Sequence, residues 1–164
     1  MIPTVIGLDI LGRYFDDDPT MALIGEFGDR SARAYLVGGG PLLAMQELTG
    51  AGRPTDSGQL SYWHPFKAPN GASGHAFICG VPFITAAQMS DNVFEKGIFY
   101  ACSFAAGWSR INDDAHYLSE VLLGWSIAYI ACESVNDTQL SNKALTVVPM
   151  VTPEMTGIGL MYQH

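Results

Sequence analysis

The chain is predicted to fold as an all-α, compact bundle of about five to six helices, and three observations point there. Apolar residues make up 48% of the 164 residues and charged residues only 15%, which supplies a sizeable core and little surface charge. Several apolar runs have helical length and are apolar nearly all round, as in helices packed within a bundle. Helix-start signals precede them, the clearest being the capping carboxylates before Pro19. Residues 1–164 read as a single domain, with no internal repeat and no low-complexity segment.

Each element follows from local chemistry. Residues 1–15 mix Ile, Val, Leu and Gly without a strong period. Asp16, Asp17, Asp18 and Pro19 open a short helix over Thr20–Phe27 that ends at Gly28. Ser31 caps the next helix, which should weaken or bend at Gly38, Gly39, Gly40 and Pro41 and resume to Gly50; the triple Gly marks either close helix packing or a simple break. Gly50 to Gly74, with Pro54, Pro65 and Pro69, is the least regular stretch, and irregular loops of that length are often functional. Gly74–Met89 is a buried helix with a bend near Pro82. Ser90 or Asp91 caps a helix from Asn92 to Trp108, and Asn112, Asp113 and Asp114 form a turn. The last helix runs from Ser119 to Val135 and stops at Asn136 and Asp137. Beyond it, Ala144–Val151 favours a short strand or extended arm.

Charge and cysteines narrow the function. A formal charge of −8 with eight Lys and Arg excludes broad nucleic-acid binding, which needs a clustered basic surface. It also makes each placed Arg informative. Cys79, Cys102 and Cys132 lie in apolar runs without metal-ligand spacing and read as buried small hydrophobes; a Cys79–Cys102 or Cys102–Cys132 pair is the other reading. No signal peptide is visible, and the uncharged run Val121–Cys132 is too short to span a bilayer.

Three clusters can carry chemistry. The first is Gly50, Ala51, Gly52, Arg53 and Pro54 at a helix end. The second is Gly71, Ala72, Ser73, Gly74 and His75 at a helix start. The third is the run from Trp108 to Glu120 with Arg110 and His116. Hydrolysis of a phosphate monoester needs guanidinium forks for the phosphoryl oxygens and backbone N–H groups at a helix start. It also needs a nucleophile and an acid for the leaving oxygen, and histidine suits both. A carboxylate beside one His fixes its tautomer. The ordinary readings are a surface turn for Arg53, a satisfied helix residue for His75, a structural salt bridge for Arg110 and His116, and a helix-start charge for Glu120. Asp113 and Asp114 read as turn formers, and His64 as part of an aromatic loop cluster. No spacing supports a metal site through Asp56 and His64.

The order Arg53-Pro54, then Ser73-Gly74-His75, then Ser109-Arg110-x5-His116-x3-Glu120 resembles the three-part signature of the phosphatidic-acid phosphatase type 2 superfamily. That superfamily includes bacterial acid phosphatases and vanadium haloperoxidases. The resemblance runs from Gln46 to Trp125 and implies a phosphatase that needs neither metal nor cofactor, with vanadate as a transition-state mimic. It implies His116 as nucleophile, His75 as acid and then base, and Glu120 as the group that orients His116. It also implies Arg53, Arg110, Ser73 and Gly74 as phosphoryl contacts. The implied substrate is a small phosphomonoester or a lipid phosphate, and the implied location is the periplasm or cell envelope. Residues 1–15 and the C-terminal arm are candidates for contact with a membrane, a partner chain or each other, and a homo-oligomer is a further candidate.

The sequence departs from the pattern at three positions. Gln46 stands where the family has Lys, Ala72 where it usually has Pro, and Glu120 where it usually has Asp. A neutral amide at 46 donates a hydrogen bond but no full charge, so transition-state stabilisation should weaken. Lys67 is a candidate replacement. The alternatives to a phosphatase are a vanadate-dependent haloperoxidase and a non-catalytic, phosphate-binding relic of the fold.

Overall fold

The computed structural model describes residues 1–15, 17–55, 64–67 and 70–139, and the backbone alone of 140, 145–152 and 155–162. Asp56, Tyr62, Trp63 and His164 lie outside the described residues. Among the described residues the chain forms an all-α bundle of five helices: α1 (Ile2–Tyr14), α2 (Pro19–Thr49), α3 (Gly74–Met89), α4 (Val93–Asn112) and α5 (Leu118–Leu140). A hairpin of β1 (Leu145–Thr152) and β2 (Met155–Tyr162) follows, antiparallel, with Leu145 opposite Tyr162 and Thr152 opposite Met155.

Residues 1–15 form a helix despite their weak period, because the small faces of α1 and α2 fit together. Gly12 lies against Gly25, and Gly28 lies against the backbone of Val5 and Asp9. Gly28 is therefore a packing contact and not a helix end. The two helices expected over Thr20–Gly50 are one continuous α2. Asp18 opens it by accepting from the Thr20 N–H at 2.7 Å, and Gly50 closes it in the left-handed conformation at φ 44°. Ser31 does not cap anything, because it is buried within α2. Helix α2 runs unbroken through 38–41, and of the two readings of the triple Gly the close packing holds at Gly38. Gly38 is buried against Phe77 and Ala131, and the exposed Pro41 frees a carbonyl that water can reach.

Helix α3 occupies the centre and packs against α2, α4 and α5. That position explains why it is apolar on all sides. Phe77, Val81 and Ile84 are buried there with Ala128, Cys132 and Val135 of α5. Pro82 removes the helix bond to the Ile78 carbonyl, and the Tyr35 hydroxyl of α2 donates to that carbonyl at 2.6 Å. Burial raises the Tyr35 pKa, so the hydroxyl keeps its proton and remains a donor. Trp125 Nε1 donates to Ser103 Oγ at 2.8 Å and ties α5 to α4.

Other boundaries also moved. Asn92, not Ser90 or Asp91, caps α4 by accepting from the Phe94 N–H at 2.9 Å. Asn136 and Asp137 do not end α5, which runs on to Leu140. The stretch Leu118–Gln139 is long and apolar enough to cross a membrane by length and composition, with 44% of its most apolar window buried in the bundle. Counting only uncharged residues underestimated it. All three cysteines are free, and only Cys132 is fully buried.

Candidate active site

The C-terminal ends of α2 and α4 and the N-terminal ends of α3 and α5 converge at one pole of the bundle. Ser73 opens α3 as its N-cap, with its buried Oγ accepting from the Ala76 N–H at 3.3 Å. The first N–H groups of α3, at Gly74 and His75, have no partner within the helix. They present a partial positive charge at the helix start, which favours an anion.

After α4 the chain turns back sharply. The Ala115 N–H donates to the Arg110 carbonyl at 3.0 Å and the His116 N–H to the same carbonyl at 3.3 Å. Asp114 allows this turn with φ 49°. The fold thereby places His116 next to Arg110. Glu120 then sits in the first turn of α5 with its carboxylate buried, and one oxygen has two partners. Oε2 meets His116 Nδ1 at 2.8 Å and accepts from the Tyr117 N–H at 3.1 Å. The second contact is half of a capping box. Glu120 is thus a helix-start charge and a partner of His116 through the same atom. With Nδ1 held by a carboxylate, Nε2 is the ring nitrogen left to react.

A cavity of about 260 Å³ opens between these ends, lined by Gln46, Arg53, Asn70, Gly74, His75, Arg110, Ala115 and His116. Six residues named from the sequence meet there: Gln46, Arg53, Gly74, His75, Arg110 and His116. Two do not line it. Ser73 lies behind Gly74 as the cap, and Glu120 lies behind His116. Lys67 and His64 are exposed outside the lining, with the Lys67 N–H bonded to the His64 carbonyl at 3.1 Å. Two of the chain's eight Lys and Arg, together with two of its four His, thus share one small cavity on a protein of formal charge −8.

Besides His116, Arg110 and Gln46 are held by internal partners. Arg110 Nη2 pairs with Asp113 at 2.6 Å, so Asp113 is an ion-pair partner as well as a turn residue. Gln46 Nε2 donates to the Ala72 carbonyl at 3.0 Å, which ties the end of α2 to the turn before α3. Among the described residues, no three of His, Cys, Asp and Glu stand together as metal ligands.

Sequence reasoning missed Asn70 and Gly124. Asn70 lines the cavity, yet its place in an irregular, Gly-rich stretch made it look like any turn residue. Gly124 of α5 lies against the Ser73 backbone, where a Cβ would meet the Ser73 carbonyl group. A lone Gly inside an apolar helix was the available signal. Compared with protein-family models, curated proteins and solved structures, the chain matches none.

Proposed function

We propose that the protein is a phosphomonoester hydrolase that acts through a phosphohistidine. The observation that carries this reading is the single cavity shared by Arg53, Arg110, His75 and His116, with His116 backed by the Glu120 carboxylate at 2.8 Å. Arg53 and Arg110 hold the phosphoryl oxygens, joined by the first N–H groups of α3. His116 Nε2 attacks phosphorus and forms an N–P bond as the P–O bond to the leaving group breaks. His75 gives its proton to that leaving oxygen. Water then attacks the phosphohistidine, His75 takes a proton from it, the N–P bond breaks, and phosphate leaves. Glu120 stabilises the positive ring that forms at His116. The residues complete these steps without a metal or cofactor.

The test is hydrolysis of radiolabelled p-nitrophenyl phosphate, with a denaturing quench at alkaline pH, where the N–P bond of a phosphohistidine survives, to trap phosphate on the protein. Wild type should turn over and carry label, and His116→Ala should do neither. Equal rates in the two proteins would sink the phosphohistidine. A second reading, phosphate binding without turnover, is favoured by two contacts. Gln46 spends a donor on Ala72, and Arg110 is paired with Asp113. Phosphate binding by a wild type that hydrolyses nothing would select it.

A further inference from the structure

At the pole opposite the phosphate cavity the bundle holds a larger one, about 560 Å³, which the proposed reaction does not use. It opens where the α1–α2 hairpin parts from α3 and α4. Leu8, Leu23 and Phe27 wall one side, Met89 lies at the end of α3, and Phe99 walls the other side. The surface is almost wholly apolar, and the volume falls in the range of roughly 300–1,000 Å³ usual for small-molecule sites. Polar groups gather only at the edge formed by Ser90, Asp91 and Glu95. Ser90 Oγ donates to the Glu95 carboxylate at 2.7 Å and accepts from the Asn92 N–H at 3.2 Å, which fixes that carboxylate at the rim.

We propose that this cavity binds a small amphiphile with an apolar body and a cationic head. The body lies between Phe27 and Phe99, where removing alkyl surface from water supplies the affinity. The head lies at Asp91 and Glu95, which select its sign. The carboxylates alone would not make a site; the apolar cavity beside them gives the ligand its body. An anionic amphiphile meets two like charges there on a chain of formal charge −8. This site thus has the opposite preference to the phosphate cavity at the other pole.

Calorimetric titration with decylamine, decanol and decanoic acid at neutral pH, each below its aggregation concentration, tests the proposal. Decylamine should bind one to one and about tenfold tighter than decanoate, the preference two exposed carboxylates can supply. The double variant Asp91→Asn, Glu95→Gln should remove the preference and keep decanol binding. Ala86→Phe fills the cavity floor and should abolish binding of all three. Because that variant can misfold, Leu23→Asn, a neutral polar group at a half-exposed wall position, provides a second block. Three results would overturn the proposal: decanoate binding as tightly as decylamine, uptake of several ligands per chain, or binding that both blocking variants leave intact. A wild-type dimer that Leu23→Asn converts to monomer would also overturn it, because a second copy would then be the occupant. None of these readouts depends on phosphatase activity.

Discussion

The Ser73 N–H donates to the Glu120 carbonyl at 2.9 Å. This single backbone bond joins the cap of α3 to the residue whose carboxylate holds His116. The two helix starts that face the cavity are therefore fixed to each other, and Gly124 allows α5 to come close enough for the bond to form. The helix start that favours an anion and the proposed nucleophile are positioned as one unit.

Glu120 should act as a positioning residue with a signature in kcat. Glu120→Gln keeps an oxygen for His116 and the Tyr117 N–H but removes the charge that stabilises a positive ring. We expect kcat for p-nitrophenyl phosphate to fall about 10- to 100-fold, the scale for partners that orient a histidine, with KM little changed. Glu120→Ala also leaves the Tyr117 N–H without its acceptor, and should cost about 1–3 kcal/mol of stability in urea denaturation. A purely structural Glu120 would instead give equal kcat in wild type and Glu120→Gln.

Asp113 should compete with the bound anion for Arg110. The pair is half-exposed, with side-chain exposures of 31% and 54%, so it contributes no more than about 1 kcal/mol to stability. Asp113→Ala frees the guanidinium and removes a negative charge near the cavity. Inorganic phosphate should then inhibit at about three- to tenfold lower concentration, a gain of roughly 1 kcal/mol, with the denaturation midpoint nearly unchanged. An unchanged inhibition constant would show that the Asp113 ion pair does not compete with phosphate.

The legible parts of the sequence were those governed by local chemistry. Ser73 and Gly74 marked the start of α3, and Met89 its end, because capping acts within one turn. The grouping of Arg53, His75, Arg110 and His116 in one cavity was expected from the order of three short motifs and not from any one of them. What could not be read depended on partners distant in the chain. Gly28 looked like a break because its packing partner, Asp9, is set by tertiary structure, and the partner of the close packing expected at Gly38, Phe77, could not be read for the same reason. The partner of the Ile78 carbonyl that Pro82 leaves without its helix bond could not be read either, because the Tyr35 hydroxyl lies 43 residues away. Asn70 was overlooked because nothing local separates a cavity residue from a turn residue.

Stability should fall at alkaline pH through Cys132. Burial pushes its thiol from 9.0 up to about 12, with the Thr85 contact opposing the shift. The unfolded chain loses this proton above pH 9 while the folded chain keeps it. The contribution is therefore fully present below pH 9 and is lost as pH rises towards 12, at about 1 kcal/mol per pH unit. Tyr35, also raised by burial, adds to the loss only above its ordinary value of 10.0. Urea midpoints should hold to pH 9 and then decline, and Cys132→Ala should delay the decline to about pH 10. Matching profiles for the two proteins between pH 9 and 10 would exclude the thiol as the cause.

Gln46 offers the sharpest test of the phosphatase reading. Its amide lines the cavity while Nε2 donates to the Ala72 carbonyl at 3.0 Å. A lysine there can keep a donor for that carbonyl and add a full charge where negative charge develops on the phosphoryl group. Gln46→Lys should raise kcat/KM for p-nitrophenyl phosphate about tenfold, equivalent to about 1.4 kcal/mol of transition-state stabilisation. Gln46→Met removes the donor without adding charge and should fall below wild type. The order Lys above Gln above Met would separate the effect of charge from that of packing, because all three side chains are unbranched and of similar reach. If Gln46→Lys folds normally by circular dichroism yet hydrolyses no faster than wild type, charge at position 46 does not limit the reaction. The weakness would then lie with Arg110, whose guanidinium Asp113 already holds.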